Sequence, residues 1–169
     1  MERRWKLYEA DIDLQEVFSR ELGILPLTAR LLANRGLQTA DKAASFLSPD
    51  LKDLHDQFLL KDMDRAVDRV AAALTGREGI AVWGDYDVDG TCSAALLYLF
   101  FKELGVDVSV HIPDRMKEGY GLNREGIKKL ASEAVKLIIT VDCGMSNFDS
   151  VSFASTLGID VIVTDHHEP

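Results

Sequence analysis

Ile80-Ala81-Val82-Trp83-Gly84-Asp85-Tyr86-Asp87-Val88-Asp89-Gly90 is an apolar run that ends directly in alternating carboxylates. Four consecutive apolar residues before a glycine predict a short strand buried on both faces, the pattern of a parallel sheet. The same design recurs twice downstream: Leu137 to Val141 runs into Asp142-Cys143-Gly144, and Ile159 to Thr164 runs into Asp165-His166-His167. Ligands of open α/β sheets bind beyond the carboxyl ends of the strands, so the three acidic tips are expected to converge on one cleft.

The segments between these strands have helical character. Thr91 to Leu104 reads as a helix closed by Gly105, Val106 to Ile112 as a strand, Asn123 to Glu133 as a helix, and Asn147 to Leu157 as a helix ending at Gly158. The alternation predicts the α/β class, a parallel β-sheet flanked by helices on both faces. Upstream, Met63 to Leu74 is an amphipathic helix with Met63, Ala66, Val67, Val70, Ala71 and Leu74 on one face, closed by Gly76. The first sixty or so residues read as short helices and turns, among them Leu27 to Ala33 with Gly36 as its C-terminal cap, and Thr39 to Leu47 with Thr39 as N-cap. Two such helices can form a DNA-reading pair, but hairpins that merely pack are commoner, and packing is the expectation. The predicted organisation is a helical N-terminal segment over 1–62 and an α/β domain over 63–169.

The chain has 169 residues and a net charge of −9, so it is not a domain that holds nucleic acid by bulk positive charge. Its longest strongly apolar stretch, Ala94 to Phe101, is far below the roughly 20 residues of a membrane span, and no membrane association is expected. Met1 to Lys6 is charged and has no apolar segment behind it, so no secretory signal is read there and a cytoplasmic location is expected. Cys92 and Cys143 are too few and too far apart for a disulfide framework or a cysteine-based zinc site.

A single aspartate at a strand end is usually a turn former or a helix cap. Three strand ends with the same pattern, one followed by adjacent histidines, point instead to a metal centre, because so many carboxylates cannot stay ionised side by side without positive charge between them. Carboxylates with imidazole suit Mn²⁺ or Mg²⁺, and a bridged pair of such ions is the usual device for phosphoester hydrolysis. Gly84 and Gly90 are expected where the backbone bends around the acidic turn, and Gly144 leads to a helix start whose free N–H groups can hold a phosphate oxygen. His166 and His167, adjacent at a strand tip, are expected to point apart, one to metal and one to substrate. His55 and His111 are read as isolated. The acidic turn is no Walker loop, since no Gly-Lys-Ser/Thr follows. It is no EF-hand either, since the twelfth position from Asp85 is Leu96.

Asp165-His166-His167 with the Gly84 to Gly90 turn resembles the DHH phosphoesterases. Arg35-Gly36, Phe46-Leu47, Pro49, Asp62-Met63 and Val141 to Gly144 extend the likeness over nearly the whole chain, with Gln57 standing where proline is more usual. Ile112-Pro113-Asp114-Arg115 and Glu118-Gly119-Tyr120-Gly121-Leu122 resemble the branch that degrades single-stranded DNA. The resemblance implies a 5′–3′ exonuclease that uses two Mn²⁺ or Mg²⁺ ions and acts on single-stranded DNA, with no oligomer. The alternatives within the family are a phosphatase of small nucleotides and a silent scaffold. It further implies that Asp87 and Asp89 bind one metal each, Asp142 bridges both, His166 binds one, and His167 contacts the scissile phosphate. Asp85 and Asp165 would support them, with either one also a candidate to reach an ion, and Arg115 would take a terminal phosphate or form a surface salt bridge. The family pattern has another bridging Asp and a second domain beyond Pro169, so the chain is expected to be an N-terminal piece, inactive alone.

Overall fold

The computed structural model describes residues 8–9 and 11–168; the Met1 to Lys6 stretch and Pro169 lie outside them. Two compact units are present, Met1–Leu59 and Leu60–Pro169.

The first unit is helical. α1 (Ile12–Leu22) precedes the helices read from the sequence and is capped by Asp11, whose carboxylate accepts from the Leu14 N–H at 2.9 Å. α2 (Pro26–Asn34) has proline in its first turn, where no N–H is needed, and α3 (Ala40–Leu47) starts at the expected Thr39 cap. Phe18, Ala29, Leu32 and Ala43 form its small core.

The second unit opens with α4 (Met63–Gly76) and continues as β1 (Gly79–Gly84), α5 (Val88–Glu103), β2 (Ser109–His111), α6 (Arg124–Ser132), β3 (Val135–Val141), α7 (Phe148–Thr156) and β4 (Asp160–Thr164). The sheet is parallel throughout, in the order β2-β1-β3-β4. Trp83, Ala81 and Ile138 pack with Ile127 and Leu130 of α6 and Ala154 of α7, while Ile80, Val82, Leu137 and Ile139 pack with Ala73 of α4 and Ala94 and Phe101 of α5. Alternate residues of each central strand thus supply two cores, which is why these strands read as continuous apolar runs. The chain leaves β1 toward one edge and returns to β3 on the other side, so the topological switch point lies between the tips of β1 and β3.

Most boundaries shift by a residue or two from the sequence reading, and three shifts have a clear physical cause. α5 begins at Val88, because the Asp87 side chain accepts from the Gly90 N–H and starts the helix inside the acidic turn. β2 has three residues, because an edge strand with a single neighbour pairs only where β1 lies alongside. α4 is closed by Arg77, in the left-handed conformation at φ 52°, with Gly76 as its last helical residue.

Candidate metal centre

The tips of β3 and β4 and the N-terminal turns of α5, which follows β1, meet at one cleft of about 370 Å³, lined by Asp89, Ser93, Val141, Asp142, Thr164, Asp165 and His166. The approach of the chain to this cleft depends on space at two glycines. A Cβ on Gly90 would lie 2.5 Å from the Asp85 backbone, and one on Gly84 would lie 2.9 Å from the Gly90 carbonyl oxygen. Neither has positive φ, so they serve close backbone approach and not the sharp bend expected of them.

The acidic turn separates its carboxylates. Asp85 is 4% exposed, and its Oδ1 is buried with no hydrogen-bond partner among the described residues. Asp87 is exposed at the N-terminus of α5, where the Gly90 N–H, donating at 3.0 Å, pulls its carboxyl below the ordinary range. Asp89 stands on the first turn of α5. Across the switch point, Asp142 has left-handed backbone at φ 62° and donates its N–H to the Thr164 carbonyl at 2.9 Å. Its Oδ1 meets His166 Nε2 at 3.0 Å and lies 3.9 Å from His167 Nδ1, while Oδ2 is buried without a partner. Burial and the neighbouring Asp87 raise its affinity for a proton.

Asp85, Asp87 and Asp142 bring ligand atoms within 4.8 Å of one another, and so do Asp142, His166 and His167. Asp142 is common to both sets, the arrangement a bridging ligand needs. Asp89 lines the cleft but belongs to neither set, whereas Asp85, read from the sequence as a supporting group, belongs to one.

The two histidines do not point apart. Their ring centroids are 4.6 Å from each other, and both rings face Asp142. The strand pleat that would separate them ends at Thr164, and Asp165 gathers His167 back by accepting from its backbone N–H at 3.1 Å and bonding Nδ1 at 2.8 Å. That carboxylate raises the His167 pKa, and although burial works against it, the Met145 and His167 N–H groups hold Asp165 below the ordinary carboxylate range.

Of the remaining expected residues, Arg115 sits with its guanidinium 5.1 Å from the centre of the Tyr86 ring and makes no ion pair among the described residues. Gly144 is buried, a Cβ there would press on Thr140 and Val163, and it is absent from the lining of the cleft. Cys143 turns away, its Sγ 3.8 Å from the Trp83 carbonyl, and burial pushes the thiol up to about 12. His111 is not isolated: it lies against Trp83 at 4.0 Å and bonds Glu118 at 3.0 Å.

Sequence reasoning missed two contributors. Thr140 donates its hydroxyl to the Cys143 carbonyl at 2.7 Å and accepts from the Thr164 N–H at 3.3 Å, fixing the tips of β3 and β4 together. A hydroxyl in an otherwise apolar strand was the available signal. Tyr120 reaches the Asp142 carbonyl at 3.2 Å, and burial with the surrounding carboxylates pushes its phenol up to about 12, so it remains a proton donor. Its signal was a tyrosine between two glycines.

Comparison with known proteins agrees with this geometry. The chain is 40% identical over 98% of its length to the single-stranded-DNA-specific exonuclease RecJ of Bacillus subtilis, and 35% identical over 100% to the RecJ of Escherichia coli. It spans 21% and 28% of those two proteins, respectively. Its structure matches that of RecJ in complex with Mn²⁺ from Thermus thermophilus with a TM-score of 0.69 at 31% identity, covering 96% of this chain and 22% of the other. Residues 79–169 match the DHH family, N-terminal domain, and with the acidic tips of β1, β3 and β4 meeting at one switch point, the chain belongs to the DHH family.

Proposed function

We propose that this chain carries the metal centre of a 5′–3′ exonuclease that hydrolyses the phosphodiester bonds of single-stranded DNA. The observation that carries the reading is Asp142: one buried carboxylate shared by two ligand sets, with Oδ2 lacking a hydrogen-bond partner among the described residues. A buried carboxylate oxygen without a donor costs on the order of 1–3 kcal/mol or more, and a divalent cation removes that cost. The donors are carboxylates and imidazoles, which fit Mn²⁺ or Mg²⁺.

Asp87, Asp89, Asp142 and His166 would hold the ions, with Asp85 closing the set on the side of β1. Bound there, the ions supply a hydroxide near neutral pH and stabilise charge on the phosphoryl oxygens. The protein's own part is orientation. Asp165 accepts from His167 Nδ1–H and favours the protonated ring, whose Nε2–H then donates to an oxygen of the scissile phosphate. Arg115, held over Tyr86 and free of carboxylate partners among the described residues, offers its planar fork to a 5′-terminal phosphate. Gly144 supplies backbone only, at the entry to α7. Single-stranded DNA is the substrate, and the enzyme is a cytoplasmic monomer to which this chain contributes a helical segment over 1–62 and an incomplete DHH domain from 63. No described helix is long and apolar enough to cross a membrane.

The test pairs calorimetric titration with Mn²⁺ and digestion of a 5′-labelled single strand by the full-length protein. Metal uptake with release of nucleotides from the 5′ end is expected. Preference for dinucleotides over long strands would move the reading to the small-substrate phosphatases, and failure to take up Mn²⁺ would leave a scaffold.

A further inference from the structure

The loop between β2 and α6 reaches the cleft without adding a carboxylate or imidazole to it. Its Tyr120 hydroxyl lies 3.2 Å from the Asp142 carbonyl oxygen and 3.3 Å from His167 Nδ1, and the two rings meet edge to face with centroids 6.2 Å apart. A phenol has one proton, and a carbonyl can only accept, so the proton goes to Asp142. The phenol oxygen then turns a lone pair to the Nδ1–H that Asp165 also accepts.

Both targets need holding. Asp142 has left-handed backbone, which for a residue with a side chain costs about 1–2 kcal/mol and persists only where neighbours fix it. His167 is exposed on a bend, and Asp165 alone ties its ring at one edge, which still leaves it free to swing about that bond. Tyr120 itself is 48% exposed, so it is no core anchor. The loop that presents it is firmly based. Glu118 accepts from the Asp114 N–H at 3.0 Å and from Asn123 Nδ2 at 3.1 Å and bonds His111, while Asn147 accepts from the Leu122 N–H at 3.3 Å and Ser150 donates to the Leu122 carbonyl at 2.9 Å. Gly121, at φ 79°, permits the turn on the other side of the tyrosine.

We propose that Tyr120 is a positioning residue, whose hydroxyl locks the Asp142 main chain and the His167 ring in one mutual orientation so that carboxylate and imidazole address the same phosphate. The inference rests on the functional reading given above for its phosphate, and on geometry alone for the lock.

Tyr120→Phe keeps the ring and removes both hydrogen bonds, and Tyr120→Leu also removes the edge-to-face contact. In the metal-free protein, two-bond ¹H–¹⁵N spectra of the imidazoles are expected to show His167 with Nδ1 protonated and in one rotamer, and in the Phe variant to show rotamer-averaged shifts with Nδ1–H exchange several-fold faster. Mn²⁺ affinity should fall about tenfold in calorimetry, and kcat on a single strand about tenfold with KM changed less than twofold, the loss of one net hydrogen bond to each group. The Leu variant should show at least the same losses. His167 spectra and Mn²⁺ affinity unchanged in the Phe variant would overturn the proposal, as would a fall in thermal midpoint with every site reading intact. If the parent protein neither takes up Mn²⁺ nor degrades strands, the functional reading fails, while the His167 spectra still decide whether Tyr120 holds the ring.

Discussion

Replacing Asp142 by asparagine separates its charge from its shape. The amide keeps an oxygen for the His166 contact at 3.0 Å and tolerates the left-handed backbone at φ 62°, but no longer faces Asp87 with a second negative charge. Asp142→Asn is therefore expected to match or exceed the wild type in metal-free thermal stability, by up to about 1 kcal/mol, and to lose Mn²⁺ binding. Asp142→Ala should bind no better and be less stable than Asp142→Asn by on the order of 1 kcal/mol, since alanine resists that φ. Differential scanning calorimetry with and without Mn²⁺ compares the three, and a destabilised Asp142→Asn would mean that the carboxylate supports the fold. Glu118 provides a pH test away from the ligands. The Asp114 N–H, Asn123 and His111 hold its carboxyl below its ordinary 4.5, so its contribution is present above pH 4.5 and lost as pH falls through the lowered value. Glu118→Gln should cost about 1–2 kcal/mol at pH 6. In denaturation between pH 6 and pH 3 the gap between the two proteins should close only below 4.5. A gap independent of pH would assign the loss to shape instead.

At the scale of elements, Arg69 joins α4 to the sheet. It donates from Nε to Asp160 at 2.6 Å, and from Nη2 both to Glu78 at 2.7 Å and to the Lys136 carbonyl at 3.3 Å. Arg69→Met keeps the stem but leaves two carboxylates near each other without a cation. Its expected cost is about 1–2 kcal/mol in urea denaturation, reduced at high salt, where charge repulsion is screened. No change in midpoint would show that the fork is a surface contact only. Arg69 lies off the apolar face read for this helix, and nothing in the helical period marks a polar residue as a clamp. The order of elements was legible because each central strand is buried on both faces and writes its burial as an unbroken apolar run. Helix starts were less so. The first turn of α5 is made of the same aspartates that mark the site, so apolar spacing placed the start at Thr91 when the Asp87 cap had already fixed it. The pleat argument for His166 and His167 failed for a related reason: β4 ends one residue before the motif, and beyond that point Asp165 sets the directions of the side chains.

For the whole molecule, the convergence of three acidic tips followed from parallel strands and the switch-point rule, and the sequence carried it in full. What it could not carry are contacts between distant positions, such as Tyr120 with Asp142 and His167, 22 and 47 residues away, because no local period encodes them. The order β2-β1-β3-β4 leaves β4 hydrogen-bonded only to β3, so the acidic turn after β1 and the histidines after β4 become neighbours only when the last strand has docked. Such long-range closure comes late in folding, because the entropy of a large loop must be lost before any contact rewards it. A cation that needs both sets therefore finds its site in the native state and not in the transition state. In stopped-flow chevrons, Mn²⁺ should slow unfolding in proportion to its occupancy and leave the refolding rate in place, so that the ion acts as a latch against opening and not as a nucleus for assembly.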